Sequence, residues 1–280
     1  MQPDEDKPRF EARVGMASPL GVAISTADQD TMRMVEEAIR ARRLALAYQP
    51  VVLTRDPKRV AFHEGLIRVL EPNGRIIPAR DFIDAIEAHE LGREIDCAAL
   101  EFGLLALAQH ADLRLAINMS ARSIGYPRWV RTLKKGLEAG PTVGERLILE
   151  ITERSAMTVP ELVITFMEEW QRKGVAFAMD DFGAGNTAIR YFKDFMFDIL
   201  KIDGQFIRKI NKDPDNQALV KALLGIGKHF EMFTVAESVE TPEVAECLRA
   251  MGVDCLQGYL FGPPSVRPPW APVEAQKKTA

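Results

Sequence analysis

Eight short apolar or β-branched runs follow one another along this chain: LALAYQPVV (44–52), RVAFHEGLIRVL (59–70), LRLAINMS (113–120), RLILEITE (146–153), VAFAMDD (175–181), DILKID (198–203), FTVAESVE (233–240) and DCLQGYLF (254–261). Segments with helical periodicity separate most of them, at 82–110, 129–140, 159–174, 216–231 and 242–252. Strands that alternate with helices build a mostly parallel sheet. Eight such units within 280 residues favour closure into a (β/α)₈ barrel, a fold that typically takes about 250 residues. One link departs from the pattern. Only TRDPK joins the first two runs, whereas parallel neighbours need a crossover of a dozen residues or more. The expected fold is therefore a TIM-like α/β barrel, irregular, with one antiparallel strand.

The ends of the chain lack this order. Residues 1–28 are polar and proline-bearing and read as a flexible leader; 271–280 read as a flexible tail; the folded domain spans 29–270. Met32, Met34, Val35 and Ile39 give the start of that domain a helical spacing. No sensory domain fits in the first 30 residues, so a free-standing domain is expected. The three cysteines, Cys97, Cys247 and Cys255, include no C-x-x-C pair and read as small hydrophobes. The four histidines are scattered, which argues against a zinc site. No apolar run reaches the ~18 residues of a membrane span, and no signal-peptide core is present at the N-terminus. A cytoplasmic protein is expected. A net charge of −4 argues against a nucleic-acid polymer as partner. It leaves room for a small anionic ligand, because bound metal reverses the sign of a local site.

The chemistry sits where the apolar runs stop. Glu64 follows VAFH, Asn118 follows LRLAI, Glu150 follows RLIL, Asp180 and Asp181 follow VAFAM, Lys201 follows DIL, Glu237 follows FTVA and Gln257 follows DCL. Barrel enzymes place their sites at the C-terminal strand ends, so these residues should converge. Singly, each carboxylate could be a helix cap or a solvated loop residue. Together they would repel and protonate unless cations sat among them. Five carboxylates and one amide are hard oxygen ligands that suit Mg²⁺ or Mn²⁺, and the number fits two ions better than one. Such a pair activates water in phosphoryl transfer. Arg68 shares a strand face with Glu64 and suits a phosphate. Lys201 beside two cations is expected to have a lowered pKa and to position or deprotonate the attacking water; the plainer alternative is a counter-ion. In DDFGAGNT, Gly183 and Gly185 allow either a mobile lid or a plain strand-to-helix turn.

The ordered series YQP (48–50), EGLIR (64–68), INMS (117–120), LEITE (149–153), MDDFGAG (179–185), LKID (200–203), VAESVE (235–240) and QGYLFGPP (257–264) resembles the EAL domains. These are bacterial phosphodiesterases that cut cyclic di-GMP to linear pGpG. The likeness covers roughly residues 30–270. It implies that Glu64, Asn118, Glu150 and Asp180 hold a first metal, that Asp181 belongs to a second, and that Glu237 is a further metal-site carboxylate. It implies that Lys201 holds or activates the water and that Gln257 helps to hold water and substrate. Gln49 and Arg68 correspond to contacts with guanine and phosphate. Asp203 is similar to a residue beside the substrate. Glu153 is similar to a glutamate that anchors the loop after the aspartate pair. The resemblance also implies homodimerisation through helices near that loop.

The chain departs from the family pattern in few places. Gly65 replaces the alanine of the name motif, DDFGAGNTAI stands where DDFGTGYSSL is usual, and Ser238 replaces a glycine. No GGDEF-like cyclase segment is present. Two other readings compete with an active phosphodiesterase. One is a degenerate relative that binds cyclic di-GMP as a receptor, which the full set of expected ligands disfavours. The other is a metal-dependent barrel enzyme that abstracts a proton next to a carboxylate, which the ordered motifs disfavour.

Overall fold

The computed structural model describes residues 19–183 and 193–271. Residues 1–18 of the expected leader 1–28, residues 272–280 of the expected tail 271–280, and Ala184, Gly185 and Asn186 of the DDFGAGNT loop lie outside the described residues, while residues 19–28 of that leader are helical. A helix, Pro19–Arg40, covers the expected N-terminal helical segment and starts upstream of it.

Among the described residues nine strands follow: β1 (Leu44–Leu53), β2 (Asp56–Leu70), β3 (Ile76–Pro78), β4 (Leu115–Asn118), β5 (Leu147–Thr152), β6 (Ala176–Phe182), β7 (Ile199–Ile202), β8 (Phe233–Ala236) and β9 (Cys255–Gln257). Their order is β1-β9-β8-β7-β6-β5-β4-β2-β3, and β1 also pairs with β2. Eight strands thus close a ring, and β3 is an extra edge strand on the projecting end of β2. Strand β1 runs antiparallel to both neighbours, and the other six contacts of the ring are parallel. The short TRDPK link enforces this reversal, since it has no length for a crossover. The sequence pattern did not mark β3. Its three residues are too few to show a period.

Strand alternation then sorts side chains to two sides. Inward-facing Val51, Phe62, Ala116, Ile148, Ala178, Ile199, Val235 and Cys255 pack together as one buried cluster inside the ring. Outward-facing residues pack under the helices in a larger cluster that includes Trp129, Phe166, Trp170 and Phe177. The helices begin with local signals. Pro127, Pro160, Pro214 and Pro242 open four of them, and the side chains of Asp213 and Thr241 accept backbone N–H bonds at two of those starts. The segment expected as one helix over 82–110 is two, Ile83–Ile86 and Glu90–Gln109. No described helix is long and apolar enough to cross a membrane.

Candidate active site

Stepping two residues from each member of the inner cluster toward the C-terminal strand ends gives Gln49, Glu64, Asn118, Glu150, Asp180, Lys201, Glu237 and Gln257. On β1 the step is backward, because that strand runs the other way. One face of the barrel therefore carries an apolar floor and a polar layer directly above it.

Lys201 is the centre of that layer and is 1% exposed. Its Nζ lies 2.8 Å from Glu237 Oε1, 2.9 Å from Asp180 Oδ1, 3.0 Å from Glu150 Oε2 and 3.3 Å from Glu64 Oε2. Glu64 is further held by Asn118, whose Nδ2 donates to Oε1 at 2.8 Å, and by Gln257, whose Nε2 donates to Oε2 at 2.6 Å. Gln257 Nε2 also donates to Gln49 Oε1 at 3.2 Å, and Gln49 Nε2 donates to the Gly262 carbonyl at 3.1 Å.

Asp181 reaches the same mouth by a local break. Straight alternation would turn it away from Asp180. Instead its φ is +55°, and the β6–β7 register shifts between Met179 and Phe182. Such an irregularity re-aims a side chain. As a result Asp180, Asp181 and Glu237 each offer an oxygen within 4.8 Å of one another. Asp203 caps the turn after β7, accepting from Gln205 N at 2.7 Å, and its charge and hydrogen bond reach Asp181. Glu153, 2% exposed, accepts from Gly183 N at 3.0 Å, with Gly183 at φ +90°. The base of the glycine loop is thereby tied to the end of β5. Arg68 is buried and donates to the Ile67 carbonyl at 2.9 Å, on the same side as Glu64.

The electrostatics are unbalanced. Burial alone would lower the pKa of Lys201, but Asp180, Glu150, Glu237 and Glu64 outweigh it and hold that pKa well above the usual value. Burial, then the charge of Glu64, raises Glu150 well above the ordinary carboxyl range. Glu237 is raised the same way, by burial and by Asp180 and Glu64. Asp181 is pushed up to about 6 by burial and by Asp180. Burial also opposes ionisation of Glu64, but Lys201, Gln257 and Asn118 outweigh it and lower its pKa. One ammonium cannot neutralise this set. Glu150 Oε1 is buried with no hydrogen-bond partner, and Asp180 Oδ1 contacts Nζ without hydrogen-bond geometry. Orphaned oxygens and surplus negative charge on hard ligands are what a divalent cation would satisfy, so the residues present fit such an ion.

Two cavities flank the cluster. One of about 410 Å³ is lined by Gln49, Glu64, Asp180, Lys201 and Glu237 together with Arg80, Arg208, Glu240 and Tyr259. The other, about 350 Å³, reaches Asn118, Glu153 and Asp181. Arg80 and Arg208 escaped the sequence reading because they lie on connecting segments, and Glu240 and Tyr259 because they lie past the ends of β8 and β9, inside runs read as strands. Asp96 escaped it too. It is buried in the helix Glu90–Gln109, accepts from Ser120 N at 2.9 Å and Ser123 Oγ at 2.6 Å, and so braces the loop after Asn118.

This arrangement matches a known family. The sequence model of the EAL domain fits residues 32–264. The chain belongs to the EAL-domain family. This EAL domain is 32% identical over 235 residues to the bifunctional diguanylate cyclase/cyclic di-GMP phosphodiesterase MucR of Pseudomonas aeruginosa, covering 82% of this chain and 34% of that protein. It is 31% identical to the cyclic di-GMP phosphodiesterase PdeB of Shewanella oneidensis, covering 82% of this chain and 27% of PdeB. The chain thus spans about a third of the length of these relatives. Among solved structures it resembles the PaMucR phosphodiesterase in complex with c-di-GMP, with a TM-score of 0.77, 30% identity, and coverage of 84% of this chain and 97% of that one. The barrel of this EAL domain carries all eight polar strand-end residues on one face, along with Asp181.

Proposed function

We propose that this EAL domain hydrolyses cyclic di-GMP to linear pGpG with two Mg²⁺ or Mn²⁺ ions held at the mouth of the barrel. The observation that carries the reading is the convergence of Glu64, Glu150, Asp180 and Glu237 on one buried lysine, with Asp181 beside them. The relatives' named activity supports the choice of substrate.

Glu64, Asn118, Glu150 and Asp180 would hold one ion; Asp181 and Glu237 would hold the second. Bound ions of this kind supply Lewis-acid activation of water and neutralise charge at the scissile phosphate. The chain's own groups do the rest. Lys201, within 3.3 Å of four carboxylates at the centre of the site, positions or deprotonates the attacking water. Of the four carboxylates on Lys201, Glu237 has the most exposed side chain, at 19%, which supports a role for it beside the attacking water. Gln257 fixes Glu64 and Gln49 in one network, which presents Gln49 to a guanine edge. Arg68 on β2 serves the phosphate, and Asp203 borders the substrate beside Asp181. Glu153 anchors the loop through Gly183.

The test is direct. Purified protein is incubated with cyclic di-GMP and Mg²⁺ or Mn²⁺, and the nucleotides are separated by chromatography. A pGpG peak that disappears in Glu64→Ala, with the circular dichroism spectrum unchanged, is expected. Tight binding in calorimetry without any pGpG would instead identify a receptor.

A further inference from the structure

We propose that Arg208 binds the second, non-reacting phosphate of the cyclic dinucleotide, on the wall of the mouth opposite Arg68. This rests on the reading of the site as one for cyclic di-GMP.

A cyclic dinucleotide carries two phosphodiesters in one ring, each with a negative charge. If one enters the carboxylate cluster with Arg68 beside it, the other must lie elsewhere in the mouth. The 410 Å³ cavity there is lined by Glu64, Asp180, Glu237 and Glu240, which repel it. Among the described residues, three cations line the same cavity: Lys201, Arg80 and Arg208. Lys201 is committed to four carboxylates. Arg80 lies 3.6 Å from Asp81, and its charge bears on Arg68, which places it on the β2 side. Arg208 is exposed and, among the described residues, has no ion pair and no side-chain hydrogen bond. Among the described cations of this cavity, its guanidinium is the uncommitted one.

Topology separates it from Arg68. Going round the ring from β2, the strands are β1, β9, β8 and then β7, so β2 and β7 are opposite in a ring of eight. Arg68 stands on β2, and Arg208 ends the turn Gly204–Ile207 that follows β7. That turn is firmly built. Asp203 caps it, Arg208 N donates to the Gly204 carbonyl at 3.0 Å, and Ile207 and Ile210 on either side are fully buried. The backbone at Arg208 is thus fixed while its planar fork, which matches phosphate geometry, stays free to close on a ligand. Two arginines on opposite walls would hold the ring across the cluster and set which diester faces the metals.

The experiment compares Arg208→Gln and Arg208→Lys with wild type on two substrates, cyclic di-GMP and bis(p-nitrophenyl) phosphate, over a series of NaCl concentrations. The second substrate has one phosphodiester and nothing for Arg208 to hold. For Arg208→Gln the ratio of kcat/KM on cyclic di-GMP to that on bis(p-nitrophenyl) phosphate should fall about tenfold, mainly through KM. The rise of KM with salt should also become shallower, because one screened attraction between a cation and the anionic ligand is lost. Arg208→Lys should recover part of both effects. Equal losses on the two substrates, no loss on either, or a loss with unchanged salt slope would each overturn the assignment, the last pointing to a contact with the base. If wild type turns over neither substrate, the hydrolase reading fails by itself. Calorimetry of cyclic di-GMP with wild type and Arg208→Gln then decides Arg208 by the same tenfold weakening and the same change in salt slope.

Discussion

The floor and the mouth of the barrel are built from the same strands, two residues apart, and they obey opposite rules. The floor residues Val51, Phe62, Ala116, Ile148, Ala178, Ile199, Val235 and Cys255 are buried, apolar and mutually packed. Every contact there favours the folded state. The layer above is just as buried at Glu64, Glu150 and Lys201, yet it crowds four carboxylates around one ammonium. Burying such a set costs more than its ion pairs return, unless further cations arrive. The floor therefore contributes stability, and the mouth spends some of it to hold a site ready for ligands.

The hardest blow to this contrast is Lys201→Ala. It leaves four buried carboxylates without their ammonium. Metal-free protein should lose about 3–5 kcal/mol in a urea titration, because one side of a buried ion cluster has been removed. Turnover of cyclic di-GMP should drop at least about a hundredfold, the usual range for loss of a positioned proton donor. An unchanged urea midpoint would mean that the mouth is neutralised in some other way.

A sharper comparison uses two residues of β5 on the same inward face. Ile148→Ala, in the floor, should cost about 2–5 kcal/mol and leave Mg²⁺ binding in place, since it opens a cavity away from the ligands. Glu150→Gln, in the mouth, should do the reverse. Glu150 has its pKa raised in the folded state by burial and by Glu64. A raised carboxyl pKa means that folded protein holds the proton more tightly than unfolded protein. Stability then falls as pH climbs from the ordinary carboxyl range toward the folded value. Glutamine escapes that loss and can still accept from Lys201. In metal-free buffer Glu150→Gln should thus be more stable than wild type, by about 1 kcal/mol or more, and the gain should be larger at pH 8 than at pH 5. Calorimetric Mn²⁺ binding should weaken in the same variant. Stabilisation together with intact metal binding would remove Glu150 from the ligand set.

This division was largely legible in the sequence, because period-2 alternation makes it visible. Each apolar run ends in one costly polar residue, and the hairpin-length TRDPK link announces the reversed β1. Other parts obey no period. The pair Asp180–Asp181 was visible, but not the +55° φ that turns Asp181 toward the mouth beside Asp180. Gln49 precedes the inward Val51 on a strand that runs backward, so a scan for polar residues after apolar runs passes over it, and only the family resemblance picked it out. Arg80, Arg208, Glu240 and Tyr259 reach the cavity from connections whose paths are set by packing.

The smallest expected effect tests how tightly the mouth is fitted to its supports. Ser238, directly after Glu237, takes a left-handed backbone at φ +55°. A Cβ added at Gly204 would lie 2.3 Å from Ser238 Oγ and 2.7 Å from Ser238 Cβ. Only one of the two positions can carry a side chain without a shift. Gly204→Ala alone should cost about 1–3 kcal/mol by overpacking, and it should slow turnover because a displaced Ser238 drags Glu237 with it. Ser238→Gly relieves a strained backbone and leaves Gly204 unopposed, so alone it should be close to neutral. In the double variant most of the Gly204→Ala loss should return, giving a coupling of at least about 1 kcal/mol in a double-mutant cycle. Gly225 provides the control. It lies within the helix Pro214–His229, and nothing sits within 4 Å of a Cβ built there. Gly225→Ala should therefore stabilise by about 0.5–1 kcal/mol and show no coupling to position 238. Additive losses at 204 and 238 would mean that the mouth relaxes around a misfit, and its rigid contrast with the floor would then be lost.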